Sequence, residues 1–167
     1  DVVSLGDHLP DPHTGSYNET QAERFQFWVE LGHRADKAGY GAIWLGEHHC
    51  CDYIGSSPQM VLASIAMRSE KIRLGTAVSL LPNHDPVRLA EEFATLDLLS
   101  QGRAEIGFGS GYTAHTFDLF GQNMDDMAAI SAENLILLRT LWDEKDIDWS
   151  GKFRTPIRQS ALQPRTF

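Results

Sequence analysis

The densest cluster of reactive side chains in the sequence is Glu47-His48-His49-Cys50-Cys51-Asp52. A histidine beside a carboxylate can serve as a general acid or base near neutral pH, or as a hydrogen-bond donor to a ligand. On an extended strand, adjacent residues point to opposite faces. At most one of His48 and His49 then reaches a shared pocket, unless the strand has already ended. The same residues also read as satisfied polar groups at a strand end. Zinc fits poorly, because adjacent residues cannot converge on one tetrahedral centre and ligand pairs are normally spaced by two to five residues. No metal site is expected. No Lys or Arg flanks Cys50 or Cys51 to activate a thiol. Vicinal cysteines seldom bridge each other, since a disulfide wants Cα atoms about 5.5 Å apart. Two free thiols point to a reducing compartment, so a cytoplasmic protein is expected.

The second cluster is Gly107-Phe108-Gly109-Ser110-Gly111-Tyr112. Glycines after a strand let a ligand approach the backbone closely. No Gly-Lys-Ser/Thr follows, and Ala114 stands where dinucleotide-type glycine spacing needs a third glycine. A tight turn would use the same residues. Trp28 and Trp44 read as core side chains rather than cofactor stackers.

These clusters need elements to position them. Residues 2–5 read as a strand and 6–16 as a polar loop. A helix runs from residue 19 or 20 to about 38, with Phe25, Trp28, Val29, Leu31, Gly32 and Ala35 at helical spacing. Residues 42–45 form a short buried strand that ends at Glu47-His48-His49. Pro58 suits the first turn of a helix over 59–67. A third strand covers 72–79. After a turn at 82–85, Asp85 is an N-cap and Pro86 the first residue of a helix ending near Ser100. A fourth strand spans 104–108, and a long helix about 127–143. A small hairpin is expected at 149–153, and the last ten residues as loop.

Strands alternating with helices imply a parallel sheet with right-handed crossovers. An open doubly wound sheet and half of a (β/α)8 barrel both fit, and both place chemistry at the C-terminal ends of the strands. Four such ends, at Asp7-His8, Glu47-His48-His49, Ser79 and Gly109-Ser110-Gly111-Tyr112, point at one region.

Composition narrows the function classes. The 167 residues are 42% hydrophobic, 22% charged and 10% aromatic, as in globular domains. A net charge of −9 with only 14 Lys and Arg leaves no basic stripe for nucleic acid and disfavours anionic membrane surfaces. There is no apolar stretch long enough for a spanning helix.

Taken in register, several segments resemble the luciferase-like, flavin-dependent monooxygenase family, which includes the bacterial luciferase subunits. They are Ala38-Gly39-Tyr40-Gly41-Ala42-Ile43-Trp44-Leu45-Gly46-Glu47-His48-His49, Ile72-Arg73-Leu74-Gly75-Thr76-Ala77-Val78, Pro86-Val87-Arg88-Leu89-Ala90-Glu91-Glu92, Leu96-Asp97-Leu98-Leu99-Ser100-Gln101-Gly102-Arg103 and Gly107-Phe108-Gly109-Ser110-Gly111-Tyr112. Order and spacing match over about residues 32–124.

The resemblance implies an α/β fold of the (β/α)8 TIM-barrel family, with flavin at the C-terminal face. It implies reduced FMN, supplied by a separate flavin reductase, and O2 oxidising a small organic substrate. His48 falls on the family's catalytic histidine, with an acid/base or hydrogen-bonding role. Ala77-Val78 falls on a non-prolyl cis peptide beneath the flavin ring. Glu47, Gly109, Ser110 and Tyr112 complete the expected cofactor-binding set. A homodimer through helices 58–67 and 86–99 is implied. Gly109 and Ser110 replace a cysteine and a phosphate-binding arginine of the luciferase catalytic subunit, and Ser110 can still donate to a phosphate. The deazaflavin F420 is the alternative cofactor, and an F420-dependent oxidoreductase or a non-catalytic flavin-binding or partner subunit the alternative functions.

A barrel of this type takes about 250 residues and eight strands; the pattern here has four. Residues 1–167 read as one incomplete barrel domain, with four βα units in 1–145 and a hairpin and loop insertion in 146–167. The chain is expected to be a fragment, with strand edges exposed at strands one and four that favour self-association.

Overall fold

A computed structural model describes residues 1–167. Four parallel strands lie in sequence order: β1 (Val2–Ser4), β2 (Ala42–Leu45), β3 (Arg73–Leu80) and β4 (Ala104–Gly109). Helices α1 (Gln21–Lys37), α2 (Pro58–Ala66) and α3 (Pro86–Ser100) make the crossovers, and α5 (Met127–Asp143) packs beside α3. These are four βα units of the (β/α)8 barrel class, with β1 and β4 as the sheet's edges.

Local chemistry sets the helix starts. Thr20 caps α1: its hydroxyl accepts from the Glu23 amide at 3.2 Å, and the Glu23 carboxylate accepts from the Thr20 amide at 2.8 Å. Asp85 caps α3 by accepting from the amides of Val87 and Arg88, with Pro86 in the first turn.

Alternation along the strands divides the side chains between two faces. Ile43, Leu45 and Leu74 point under the helices and join Trp28, Leu62, Ile65, Leu89, Phe93, Leu137 and Leu138 in one core. Trp28 is a core residue, 2% exposed. Trp44 lies on the other face, directly over Gly75, its partner in the register. A Cβ at position 75 would collide with that ring.

Buried polar groups tie the crossovers together. Asp36 accepts from the amides of Glu70, Lys71 and Ile72. Burial pushes its carboxyl upward, but those three amides outweigh burial and hold it below the ordinary value. The Arg103 guanidinium donates to the carbonyls of Ala66, Ser69, Ile72 and Ser100, locking the end of α3 to the start of β3.

The structure departs from the sequence expectation in three places. A six-residue helix, α4 (Ala114–Leu119), follows β4; it is too short for apolar periodicity to announce it. The hairpin pairs β5 (Ile147–Trp149) with β6 (Ile157–Ser160), so it is wider than the anticipated 149–153 segment and shares only Trp149 with it. Part of the expected terminal loop is therefore strand. Ile147 is buried and Ile157 packs against the same core, a long-range contact that local turn signals do not encode.

Candidate active site

The C-terminal ends of β1 to β4 open onto one cavity of about 460 Å³, within the usual range for small-molecule sites. Its wall contains Glu47, His48, His49, Ala77, Val78, Gly109 and Tyr112, all singled out from the sequence. Ser110 is absent from that wall. Its hydroxyl accepts from the Ser131 hydroxyl of α5 at 3.0 Å, which leaves its own O–H free to donate.

Both histidines reach the cavity because β2 ends at Leu45, before them. The alternation that would separate them on a strand no longer applies. Beyond β2 the chain is held by hydrogen bonds from the Glu47 amide to the Val78 carbonyl (3.1 Å) and from the His48 amide to the Gly55 carbonyl (3.1 Å). The following loop turns back over the end of β1, where the His8 amide donates to the Asp52 carbonyl at 2.7 Å. Cys50 and Cys51 are free and exposed on that loop, at the cavity rim. No cluster of His, Cys, Asp or Glu has a metal-binding arrangement.

Glu47 is the electrostatic centre of the site. Its side chain is wholly buried. Oε1 accepts from His49 Nε2 at 2.8 Å; Oε2 accepts from His84 Nε2 at 2.8 Å and from the Leu80 amide at 3.0 Å. Burial alone would raise this carboxyl, but the hydrogen bonds from His49 and His84 outweigh it and hold Glu47 below its ordinary value. Both oxygens are thus turned toward protein donors.

For His84, burial works against the charged form, but the hydrogen bond and negative charge of Glu47 win and raise it. His48 moves the other way: burial, then the neighbouring His49, push it below 6.5 against the opposing pull of Glu47. Near neutral pH, His48 is an uncharged imidazole. The ring of Tyr53 leans against it, centroids 5.0 Å apart, and Phe120 packs edge-on against His49 at 4.7 Å.

The cavity floor is an irregularity in β3. Thr76 pairs with Ile106 and Ser79 with Phe108, so three steps on β3 oppose two on β4. The extra residue falls at Ala77–Val78, whose peptide bond is cis. Glycines on β4 accommodate it. A Cβ at Gly107 would run into the Thr76 carbonyl oxygen, and one at Gly109 into the Val78 side chain. A Gly107→Ala variant is expected to lose about 1–3 kcal/mol of stability, because the opposing atom is backbone and cannot rotate away. Chemical denaturation checks this, and a variant as stable as the parent would show that the floor is looser than drawn.

Two contributors, His84 and Asn83, escaped the sequence reading, and a third, Phe117, matches the family pattern but has no role assigned from it. His84 lay within an anticipated turn with nothing to mark its partner. Asn83, in the turn Leu81–Asn83, lines the cavity with its amide nitrogen and oxygen both buried and unpartnered. Phe117 of α4 is buried against the cavity's far side. Only the Asn83-His84 pair, polar and next to an N-cap, offered a local hint.

The sequence over residues 2–166 matches the family model described as luciferase-like monooxygenase. The oxygenase component of a flavin-dependent trigonelline monooxygenase from Acinetobacter baylyi is 33% identical over 153 residues, covering 89% of this chain and 42% of that protein. The monooxygenase RslO1 from Streptomyces bottropensis superposes with a TM-score of 0.89 at 28% identity, over 99% of this chain and 50% of its own. The oxygenating constituent of 3,6-diketocamphane monooxygenase from Pseudomonas putida, solved with FMN, superposes at 0.82 over 98% of this chain and 44% of its own; at 18% identity that likeness concerns the fold. The chain spans half or less of the length of each of these proteins.

Proposed function

The chain belongs to the luciferase-like monooxygenase family, and from that premise we propose that it forms the flavin-binding half of an FMN-dependent monooxygenase oxidising a small organic substrate with O2. The observation that carries this reading is the cavity at the strand ends, with His48 on its wall and a backbone floor beneath.

The residues present fit a flavin. A planar ring needs a flat, side-chain-poor surface, which Ala77 and Val78 offer over Gly107 and Gly109. Its polar edge needs donors and acceptors. Asn83 offers one of each, buried and unpartnered. Ala77, Val78, Gly109 and Tyr112 would hold the ring system; Ser110 lies off that wall against Ser131, so its free O–H would serve only a phosphate that extends beyond the cavity. When bound, reduced flavin supplies the electrons that activate O2. His48 then accepts or returns a proton at a ring nitrogen, as a neutral imidazole can. Tyr53 restricts its ring, and the apolar wall of Leu5, Leu80 and Phe117 keeps water from the reacting atoms. Glu47 orients rather than touches, since its oxygens are already engaged.

Reduced FMN comes from a separate flavin reductase. The relative acting on trigonelline is itself named as an oxygenase component, which supports a two-component arrangement. A homodimer through α2 and α3 is the proposed assembly, because Met60, Met67 and Leu99 on or next to these helices are exposed. No helix is long and apolar enough to cross a membrane, and the free Cys50 and Cys51 suit a reducing, cytoplasmic setting.

Anaerobic titration with reduced FMN, and separately with F420, tests the reading. Saturable binding of reduced FMN, followed by oxygen-dependent product formation with a reductase present, is expected. Binding of F420 with none of FMN overturns it in favour of a deazaflavin oxidoreductase.

A further inference from the structure

The cavity does not end at Glu47. Behind it, α2 and α3 enclose a groove of about 260 Å³ whose wall includes His84, Arg88, Glu91 and Glu92. Four titratable groups thus run from this groove to the cavity in alternating order: Glu92, His84, Glu47, His49. The His84–Glu47 and Glu47–His49 links are hydrogen bonds of 2.8 Å at opposite oxygens of one buried carboxylate.

We propose that His84 is a positioning residue: backed by Glu92, it holds Glu47 as a carboxylate and, through Glu47, holds His49 in a single tautomer. The inference concerns residues other than His48. It adds to the monooxygenase reading a device that keeps the cavity's second histidine in one state.

The argument follows from donors and acceptors. An ionised Glu47 can only accept, so both imidazoles must present N–H to it. A neutral His49 that donates from Nε2 keeps Nδ1 as a bare acceptor, so the direction of one hydrogen bond decides the character of the whole ring. A buried carboxylate keeps its charge only if charge or donors compensate it. The Leu80 amide supplies one donor, and a protonated His84 supplies a donor and a charge.

The groups facing His84 agree with that assignment. Glu47 follows β2; Glu92 lies on α3 and adds a second negative charge. Glu92 is itself raised above its ordinary value, by burial first, with His84 and Arg88 pulling it down and Glu47 and Glu91 pushing it up. The groove side of α2 brings only the neutral Gln59, Met60 and Ala63. From α5, Asn134 donates to the Leu81 carbonyl at 2.9 Å and to that of His84 at 3.4 Å, pinning the turn that carries the ring.

Imidazole nitrogen NMR on the histidine-labelled protein, followed from acid to alkaline pH, tests the proposal without flavin. Its failure is therefore separable from failure of the monooxygenase reading. One ring, identified by its loss in His84→Asn, should stay cationic above pH 6.5. His49 should give one tautomer, donating from Nε2. In His84→Asn the His49 signals should move to a tautomer mixture, and in Glu92→Gln the His84 midpoint should fall. A His84 that titrates at the ordinary histidine value, or an unchanged His49 pattern in folded His84→Asn, overturns the proposal. If His84→Asn fails to fold, the Glu92→Gln shift decides alone: an unmoved His84 midpoint rejects the link.

Discussion

Replacing His48 with alanine is expected to lower turnover by about 10²–10⁴-fold, the usual contribution of a positioned general acid or base, while reduced FMN should bind nearly as before. The split is expected because His48 sits on the cavity wall and the floor is built from other residues, Ala77, Val78 and Gly109. Steady-state turnover with a reductase, beside anaerobic flavin titration, measures both halves. Unchanged turnover would remove His48 from the chemistry; lost flavin affinity would make it a binding residue. The pH profile adds an independent check. Burial and the neighbouring His49 lower His48, so it remains neutral to a more acidic pH than a free histidine. The acid limb of turnover should therefore lie below pH 6.5 and disappear in the alanine variant.

Removing Glu47 should cost the fold more than any other single change in the site. Glu47→Ala leaves the His84 imidazolium, the His49 ring and the Leu80 amide without their common acceptor in a buried place. Breaking a buried charge pair by deleting one partner costs about 3–5 kcal/mol. Glu47→Gln, which keeps one acceptor oxygen, should cost less. Denaturant unfolding at several pH values measures both.

The pH dependence has two limbs. Glu47 is lowered in the folded state, so its contribution is full above 4.5 and is lost as pH falls through its folded value. His84 is raised, so its contribution is full below 6.5 and is lost as pH rises through its folded value. The stability difference between parent and Glu47→Ala should therefore be greatest between pH 4.5 and 6.5 and shrink on both sides. A difference that does not change with pH would mean that the loss is one of packing alone.

Much of this protein could be read directly from residue order. Alternating short apolar runs and helical periodicities are local properties, and they imply βα units whatever the tertiary context. The capping residues Thr20 and Asp85, and Pro58 and Pro86 at the first positions of their helices, carry their meaning within a few residues of themselves. Because parallel strands all point the same way, Glu47-His48-His49 and Gly109-Ser110-Gly111-Tyr112 had to gather at one end of the sheet once the strands were placed. The candidate site was legible to that extent.

Tertiary structure alone decided the rest, because the deciding contacts join distant parts of the chain. That β2 stops at Leu45, so that both His48 and His49 face the cavity, depends on the Glu47 amide pairing with Val78 and the His48 amide with Gly55. Glu47 is surrounded by His49, Leu80 and His84, donors from separate segments, and no local pattern marks His84 as its partner. The unpartnered amide of Asn83 becomes meaningful only once a cavity exists beside it. Ser110, a neighbour of Gly109 in sequence, is drawn instead to Ser131 on α5. Sequence spacing determines which face an element presents; which group lies opposite that face, and therefore which proton a buried side chain keeps, is set by packing between elements.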